Sequence, residues 1–355
     1  MKNFRNILIV RTDRIGDVIL TTPAIKVLRE AYPQASISIL VSPLTYDLVN
    51  GNPYLNEALI DDRLKTHRGP LGFWRLVNSL RRRKFDAAII FHTKKRTNLL
   101  CFLAGIPYRT GYRNEKFGFL LNHPLEDTRP FGKKHETEYC LDVLKSLDIS
   151  DAQFLKAPEF YVPVKEEARD WLKSFLVKNN IGDQDVLVAI HPAASDPAKQ
   201  WSSKGFAELM DYLIERYHAK IVLIGTASVK STVRDILAFV KNASTSGLIF
   251  DLSGMTSVSQ SVSLLKRANL LVSNDSGPVH IAAALGTPVV SIFTRNQPGI
   301  NPERWRPLSQ KSRVVSVPED KKMSFKKAQP LDPQYSQLIP AQEVFEAVDS
   351  LFKLC

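Results

Sequence analysis

The sequence predicts an α/β protein built from two domains, each on a parallel sheet. Three observations carry this. The chain has 355 residues, about twice the ~150 residues of an ordinary domain. Short β-branched runs alternate with longer stretches of helical spacing almost from end to end, the pattern of strand-helix-strand units. The alternation breaks once, near residues 150–165, where Pro158 and Pro163 bracket an aromatic Glu-Phe-Tyr.

The strands are read from runs that are apolar without alternation and too short for helices, as buried parallel strands are. They are 7–10 (ILIV), 36–40, 87–90, 186–190, 220–224, 248–250, 269–273 and 288–293. Helical spacing covers 17–31, 71–83, 203–217, 228–241, 257–267 and 278–285, and the stretch KEEARDWLKSFLVKNN opens a second α/β unit. The expected division is 1–160, 161–339 and a terminal helix within 340–355. Two such domains with a cleft between them place ligand sites at the C-terminal ends of strands.

Composition narrows the function classes. Hydrophobic residues make up 44% and charged residues 24%, which excludes a disordered, collagen-like or coiled-coil chain. Cys101, Cys140 and Cys355 are far apart, odd in number and lack CxxC spacing, against both a disulfide framework and a thiolate metal cluster. The apolar run at 7–10 is too short for a secretory signal, and no stretch approaches the ~18 to 20 residues of a membrane span. A cytoplasmic protein is expected. The net charge is +12, and residues 1–160, with 25 basic against 17 acidic residues, hold +8 of it. This suggests an anionic partner, whether nucleic acid, a phosphorylated small molecule or an acidic membrane surface, with a merely soluble basic protein as the ordinary alternative.

Three stretches carry chemistry. In RTDRIGDVILTTPAIKVLREAYP (11–33), a strand feeds a loop and then a helix, so unpaired N–H groups gather at the strand end. Asp13 and Asp17 stand there as candidate general bases, with pKa values raised by burial or lowered by Arg11 and Arg14; helix capping is the ordinary alternative. In NLLVSNDSGPVHIAAALGTPVVSIF (269–293), Asp275, Ser276 and Gly277 precede Pro278 at a helix start whose amides suit a diphosphate, with His280 on the first turn. A plain capped helix with a buried histidine is the alternative. In HPAASDPAKQW (191–201), Ser195 and Lys199 could offer a hydroxyl and an ammonium to phosphate oxygens, a solvated loop lysine being the ordinary alternative. Neither GxGxxG nor GxxxxGK[ST] occurs. Asp183-Gln184-Asp185 has a DxD form but reads as a turn beside Gly182, and no metal site is expected.

These three stretches, together with AGIPYRTGYRNE (104–115), in this order and spacing, resemble the lipopolysaccharide heptosyltransferases, family 9 of the glycosyltransferases, over roughly residues 5–295. The resemblance implies a GT-B fold, two Rossmann-like domains with parallel sheets facing a central cleft, the N-terminal one for the acceptor and the C-terminal one for the donor. It implies inverting transfer of heptose from ADP-heptose to Kdo or a preceding heptose of the inner core, without metal or other cofactor. Asp17, matching the family's Gly-Asp pair, would be the base, with Asp13 as runner-up or orienter. Lys199 and Ser195 would neutralise the departing ADP, the diphosphate would rest on Asp275-Ser276-Gly277 near His280, and Met255 would line the adenine pocket. Arg96, Arg109 and Arg113 would meet carboxylates or phosphates of the anionic acceptor, a lipid A–Kdo core at the cytoplasmic face of the inner membrane. One departure is visible: where family members often carry an acidic residue for the ribose, this chain has Val229, Lys230 and Ser231.

Two other classes stand beside this reading. One is a GT-B enzyme using another nucleotide sugar, as a transferase, epimerase or hydrolase. The other is a non-catalytic basic protein for nucleic acid, disfavoured because the runs RRRK (81–84) and KKR (94–96) lack interleaved aromatics.

Overall fold

The computed structural model describes residues 2–149, 154, 157–194, 196, 199–241, 247–317 and 338–353. The chain forms two compact units, Met1–Pro163 and Val164–Cys355. The first contains β1 (Asn6–Val10), α1 (Ile15–Ala31), β2 (Ser36–Val41), β3 (Glu57–Ile60), α2 (Gly69–Arg82), β4 (Ala87–Ile90), α3 (Lys95–Leu103), β5 (Tyr108–Arg113), β6 (His123–Glu126) and α4 (Glu136–Leu144). The second contains α5 (Glu166–Lys178), β7 (Leu187–His191), α6 (Ser203–Tyr217), β8 (Lys220–Leu223), α7 (Lys230–Leu237), β9 (Ile249–Asp251), α8 (Val258–Arg267), β10 (Leu270–Asn274), α9 (Gly277–Leu285), β11 (Val289–Phe293), α10 (Pro302–Trp305), β12 (Ser312–Ser316) and α11 (Ala341–Phe352).

Each unit holds one six-stranded sheet with all pairs parallel, ordered β3-β2-β1-β4-β5-β6 and β12-β11-β10-β7-β8-β9. Counted within each unit, both orders are 3-2-1-4-5-6, the doubly wound Rossmann order. This is the α/β architecture of two Rossmann-like units expected of a GT-B chain. The central strands β1, β4, β7, β10 and β11 are buried almost throughout, while β3, β6, β9 and β12 at the edges are half-exposed. Pro124 lies in the edge strand β6, where its missing N–H costs no central ladder bond.

The strand order itself locates a ligand edge. Where consecutive crossovers leave in opposite directions, the loops at the strands' C-terminal ends part and open a crevice. In the first unit that point lies between β1 and β4, and in the second between β7 and β10.

Two local features fix α1, the helix at the first of these points. Pro23 sits inside it and cannot donate to the Ile19 carbonyl one turn back. The Thr22 hydroxyl donates to that carbonyl instead, at 2.8 Å, and Thr21 likewise donates to the Asp17 carbonyl at 2.8 Å. The Thr-Thr-Pro run is thus self-compensating, and α1 stays continuous for 17 residues, packed against α4.

Candidate active site

At the switch point of the first sheet, β1 is followed by Arg11, whose side chain is 2% exposed. A buried guanidinium must be paired, and this one organises three carboxylates. Its Nε lies 3.2 Å from Asp13 Oδ1, and its Nη2 donates at 2.9 Å both to Asp17 Oδ1 and to Glu136 Oε1. Its remaining donors reach backbone, Nε to the Asp17 carbonyl and Nη1 to the Phe91 carbonyl, each at 3.2 Å. Asp17 is in the first turn of α1, Glu136 opens α4, and Phe91 follows β4. The arginine therefore ties the loops on both sides of the switch point to one charge cluster.

Three carboxylates crowd around Arg11, with Arg14 acting on Asp17 and Arg129 on Asp13 and Glu136 from further off. Burial pushes the Asp17 carboxyl up to about 7, the Asp13 charge adds to this, and Arg11 opposes it. Asp13 is also raised, by burial first, against Arg11. Of the two directions open from sequence, burial favours raising for both. The Asp17 side chain keeps 17% exposure. A carboxylate titrating near neutrality and open to solvent is suited to general-base work.

Residues that the sequence did not single out complete this edge. Arg129 is bidentate to Asp127 at 2.7 Å, reaches the Phe91 carbonyl at 3.3 Å and stacks over Tyr112. His92 bonds Thr12 through Nδ1 at 3.0 Å; burial, then Arg11, push it down to about 3, so it is neutral at physiological pH. Glu136 opens α4 beside a capping box, in which His135 Nδ1 accepts from the Thr137 amide at 3.2 Å and the Glu138 carboxylate accepts from the His135 amide at 2.7 Å.

The second unit's switch point is built from His191, Asn274 and Ser276. Ser276 is the N-cap of α9, and its hydroxyl meets His191 Nδ1 at 3.1 Å and Ser273 Oγ at 3.0 Å. Burial pushes His191 down to about 4. Asn274 accepts from the Trp201 amide at 2.9 Å and donates to the Pro192 carbonyl at 2.6 Å. These bonds tie Pro192 and Trp201 to the last residue of β10, just before the start of α9. Lys199 lies 2.5 Å from Asp275, and Arg295 after β11 pairs with Asp196. Lys199, Asp275, Ser276 and Gly277 thus stand together at the helix start, where amides and dipole favour an anion.

The other expected residues divide. His280 is buried on the first turn of α9. Met255 is 64% exposed in the turn after β9, away from the Lys199 loop by two strands of the sheet order. Ser195 lies outside the described residues. Arg96 grips buried Asp61 with two bonds of 2.9 and 2.7 Å and donates to the His67 carbonyl at 3.1 Å. Arg109, at the opposite end of β5 from the switch-point edge, donates to the Leu120 carbonyl at 2.8 Å and the Ile106 carbonyl at 2.5 Å. Arg113, at the C-terminal end of β5, is exposed. Trp201 is a core residue, donating to the Ile339 carbonyl, and Asp185 of the DxD run accepts from the Gly182 amide and pairs with Lys220.

Lipopolysaccharide heptosyltransferase 2 of Escherichia coli K12 is 29% identical over 317 residues, 88% of each chain. A glycosyl transferase family 9 structure from Veillonella parvula superposes with a TM-score of 0.86 at 22% identity, covering 100% of this chain and 99% of that one. The structure of E. coli ADP-heptose lps heptosyltransferase II gives a TM-score of 0.78 at 25% identity over 98% of both chains. The model of glycosyltransferase family 9 (heptosyltransferase) matches residues 73–334, most of the chain, and this protein therefore belongs to that family of glycosyltransferases.

Proposed function

We propose that this enzyme transfers heptose from ADP-heptose to a Kdo or heptose hydroxyl of the lipopolysaccharide inner core, with inversion at the anomeric carbon and without a metal. The observation that carries the mechanism is Asp17, held by Arg11 at the switch-point edge with its carboxyl near neutrality. In this reading Asp17 takes the proton of the acceptor hydroxyl. The oxygen forms its bond to the anomeric carbon as the bond to the ADP oxygen breaks, so the configuration inverts. Burial, then the charges of Asp13 and Glu136, keep Asp17 basic, and Arg11 fixes its direction.

The charge that develops on departing ADP is met by Lys199 and by the first amides of α9, an arrangement that stabilises a leaving diphosphate without reorganisation. Asp275 holds Lys199 in place, and Ser195, beside Asp196 in sequence, is proposed to add a hydroxyl. His280 and Met255 are proposed to border the nucleotide. Arg113 is the exposed one of the three arginines proposed for the anionic acceptor; Arg96 and Arg109 would act there by holding the loops that border it. The acceptor is a membrane glycolipid in this reading, which places the enzyme at the cytoplasmic face of the inner membrane.

The test is turnover of ADP-heptose with a truncated core acceptor, with and without EDTA, and the anomeric configuration of the product by NMR. Acceptor-dependent ADP release with an inverted linkage supports the proposal. A retained configuration, donor hydrolysis without acceptor, or abolition of turnover by EDTA contradicts it.

A further inference from the structure

The segment between β3 and β4 carries a surface that the transfer chemistry does not use. Residues 63–85 hold eight Lys or Arg and no Asp or Glu. Among them stand three large apolar side chains turned to solvent: Leu64 is 85% exposed, Leu71 79% and Trp74 45%. On α2, Leu71, Trp74, Arg75 and Arg82 share the face opposite to Leu76 and Leu80, which are buried. A single exposed leucine is ordinary on any surface. Here three apolar groups are grouped with cations that the fold leaves for something else. Among the described residues Lys65, Arg68, Arg75 and Arg82 make no ion pair, whereas Arg83 is held by Glu57 at 2.9 Å and Arg81 by the Leu103 carbonyl at 2.7 Å.

The segment is also braced against the catalytic edge. Arg96 clamps Asp61 and the His67 carbonyl and stacks over Phe73 at 4.9 Å. Arg63 Nη2 reaches the Thr12 carbonyl at 3.4 Å, in the loop that leads to Asp13 and Asp17.

We propose that residues 63–82 form a membrane-docking surface, in which Leu64, Leu71 and Trp74 enter the interfacial layer of an anionic bilayer and Lys65, Arg68, Arg75 and Arg82 lie against its phosphate headgroups. Amphipathic helices with a cationic face and exposed Leu and Trp bind in this way, by burying apolar area and by attraction to anionic lipid. The charge alone would suit nucleic acid equally. Two aliphatic groups decide against it, because single strands are held by aromatic faces on which bases stack. Docking through this segment presents the Asp17 edge to a lipid-anchored acceptor. The inference rests on the glycolipid-acceptor reading for that consequence alone.

The test is co-sedimentation of the full-length protein with phosphatidylglycerol-containing vesicles, with phosphatidylcholine vesicles and with a single-stranded oligonucleotide, all free of glycolipid. Docking can then fail while transfer to a water-soluble acceptor stands, and the reverse. The wild type is expected on anionic vesicles and to be released by salt. At roughly fivefold per cation, the triple variant Arg68→Glu/Arg75→Glu/Arg82→Glu lowers partition on the order of 100-fold, and Leu64→Ser/Leu71→Ser/Trp74→Ser lowers it at any salt. A variant of equal charge in the second unit, Lys173→Glu/Lys178→Glu/Lys204→Glu, partitions as the wild type does. Both docking variants keep turnover of the soluble acceptor; Arg75→Glu and Trp74→Ser alone, at exposed sites, serve where a triple variant misfolds. Wild-type protein left in the supernatant, equal loss in the second-unit control, or capture by the oligonucleotide in place of vesicles overturns the proposal.

Discussion

Replacing Glu136 by Gln tests whether Asp17 owes its basicity to the cluster around Arg11. Both carboxylates take a hydrogen bond from the same Nη2 at 2.9 Å, so their oxygens are at most about 6 Å apart, and at an effective dielectric near 20 their repulsion is about 3 kcal/mol. Solvent at the partly exposed Asp17 screens part of this, leaving roughly 1.5 to 3 kcal/mol, or about one to two pH units. The sign follows from the charge. Glu136 disfavours the ionised form of Asp17, so its removal lowers the Asp17 pKa from about 7 and base is available at lower pH. The acid limb of kcat/KM, measured from pH 4.5 to 9, should move down by one to two units, while the plateau falls modestly because a weaker base accepts the proton less readily. Gln keeps an oxygen for Arg11, so the geometry is retained. A limb that stays in place or moves upward refutes the electrostatic account of Asp17.

Other outcomes follow from the same contacts. Lys199→Ala should lower kcat by about 10²–10³, as removing a preorganised donor from a developing anion does, and adding Asp275→Asn should restore part of it, because Asp275 alone at 2.5 Å from the lost ammonium would repel the diphosphate; steady-state kinetics of the three variants decide. Thr22→Val should cost about 2–3 kcal/mol in urea unfolding, since the buried hydroxyl both donates to Ile19 and accepts from the Tyr161 amide at 3.2 Å. ADP, compared with UDP and GDP, should raise Tm, by the equivalent of about 2.7 kcal/mol at 100 times Kd; a larger rise with UDP or GDP would contradict an ADP-sugar donor.

Most of the buried frame was legible because central parallel strands are continuous apolar runs. Residues 87–90 coincide with β4 and 203–217 with α6, and the other runs differ from the observed strands by a residue or so. The strands that escaped reading were chiefly the edges β3, β6 and β12, half-exposed and without a continuous apolar run, and β5, whose Tyr-Arg-Thr-Gly-Tyr-Arg mixes charge into a strand. In the site, Asp13, Asp17 and the Asp275–Gly277 turn were visible because each follows a strand directly. Glu136 was not: it meets Arg11 across 125 residues, and no local pattern records that encounter. Arg96 and Arg109 carried the right charge for an anion, but sequence could not show that Asp61 and backbone carbonyls already occupy their donors.

The role of Asp17 is tested most directly by Asp17→Asn, assayed for heptose transfer and, separately, for ADP binding and thermal stability. Asn retains an oxygen for Arg11 Nη2 and cannot take a proton. The account predicts transfer lowered by about 10²–10⁴ with ADP affinity unchanged and the protein folded. Transfer within tenfold of wild type, or a matching loss of ADP binding, would contradict it.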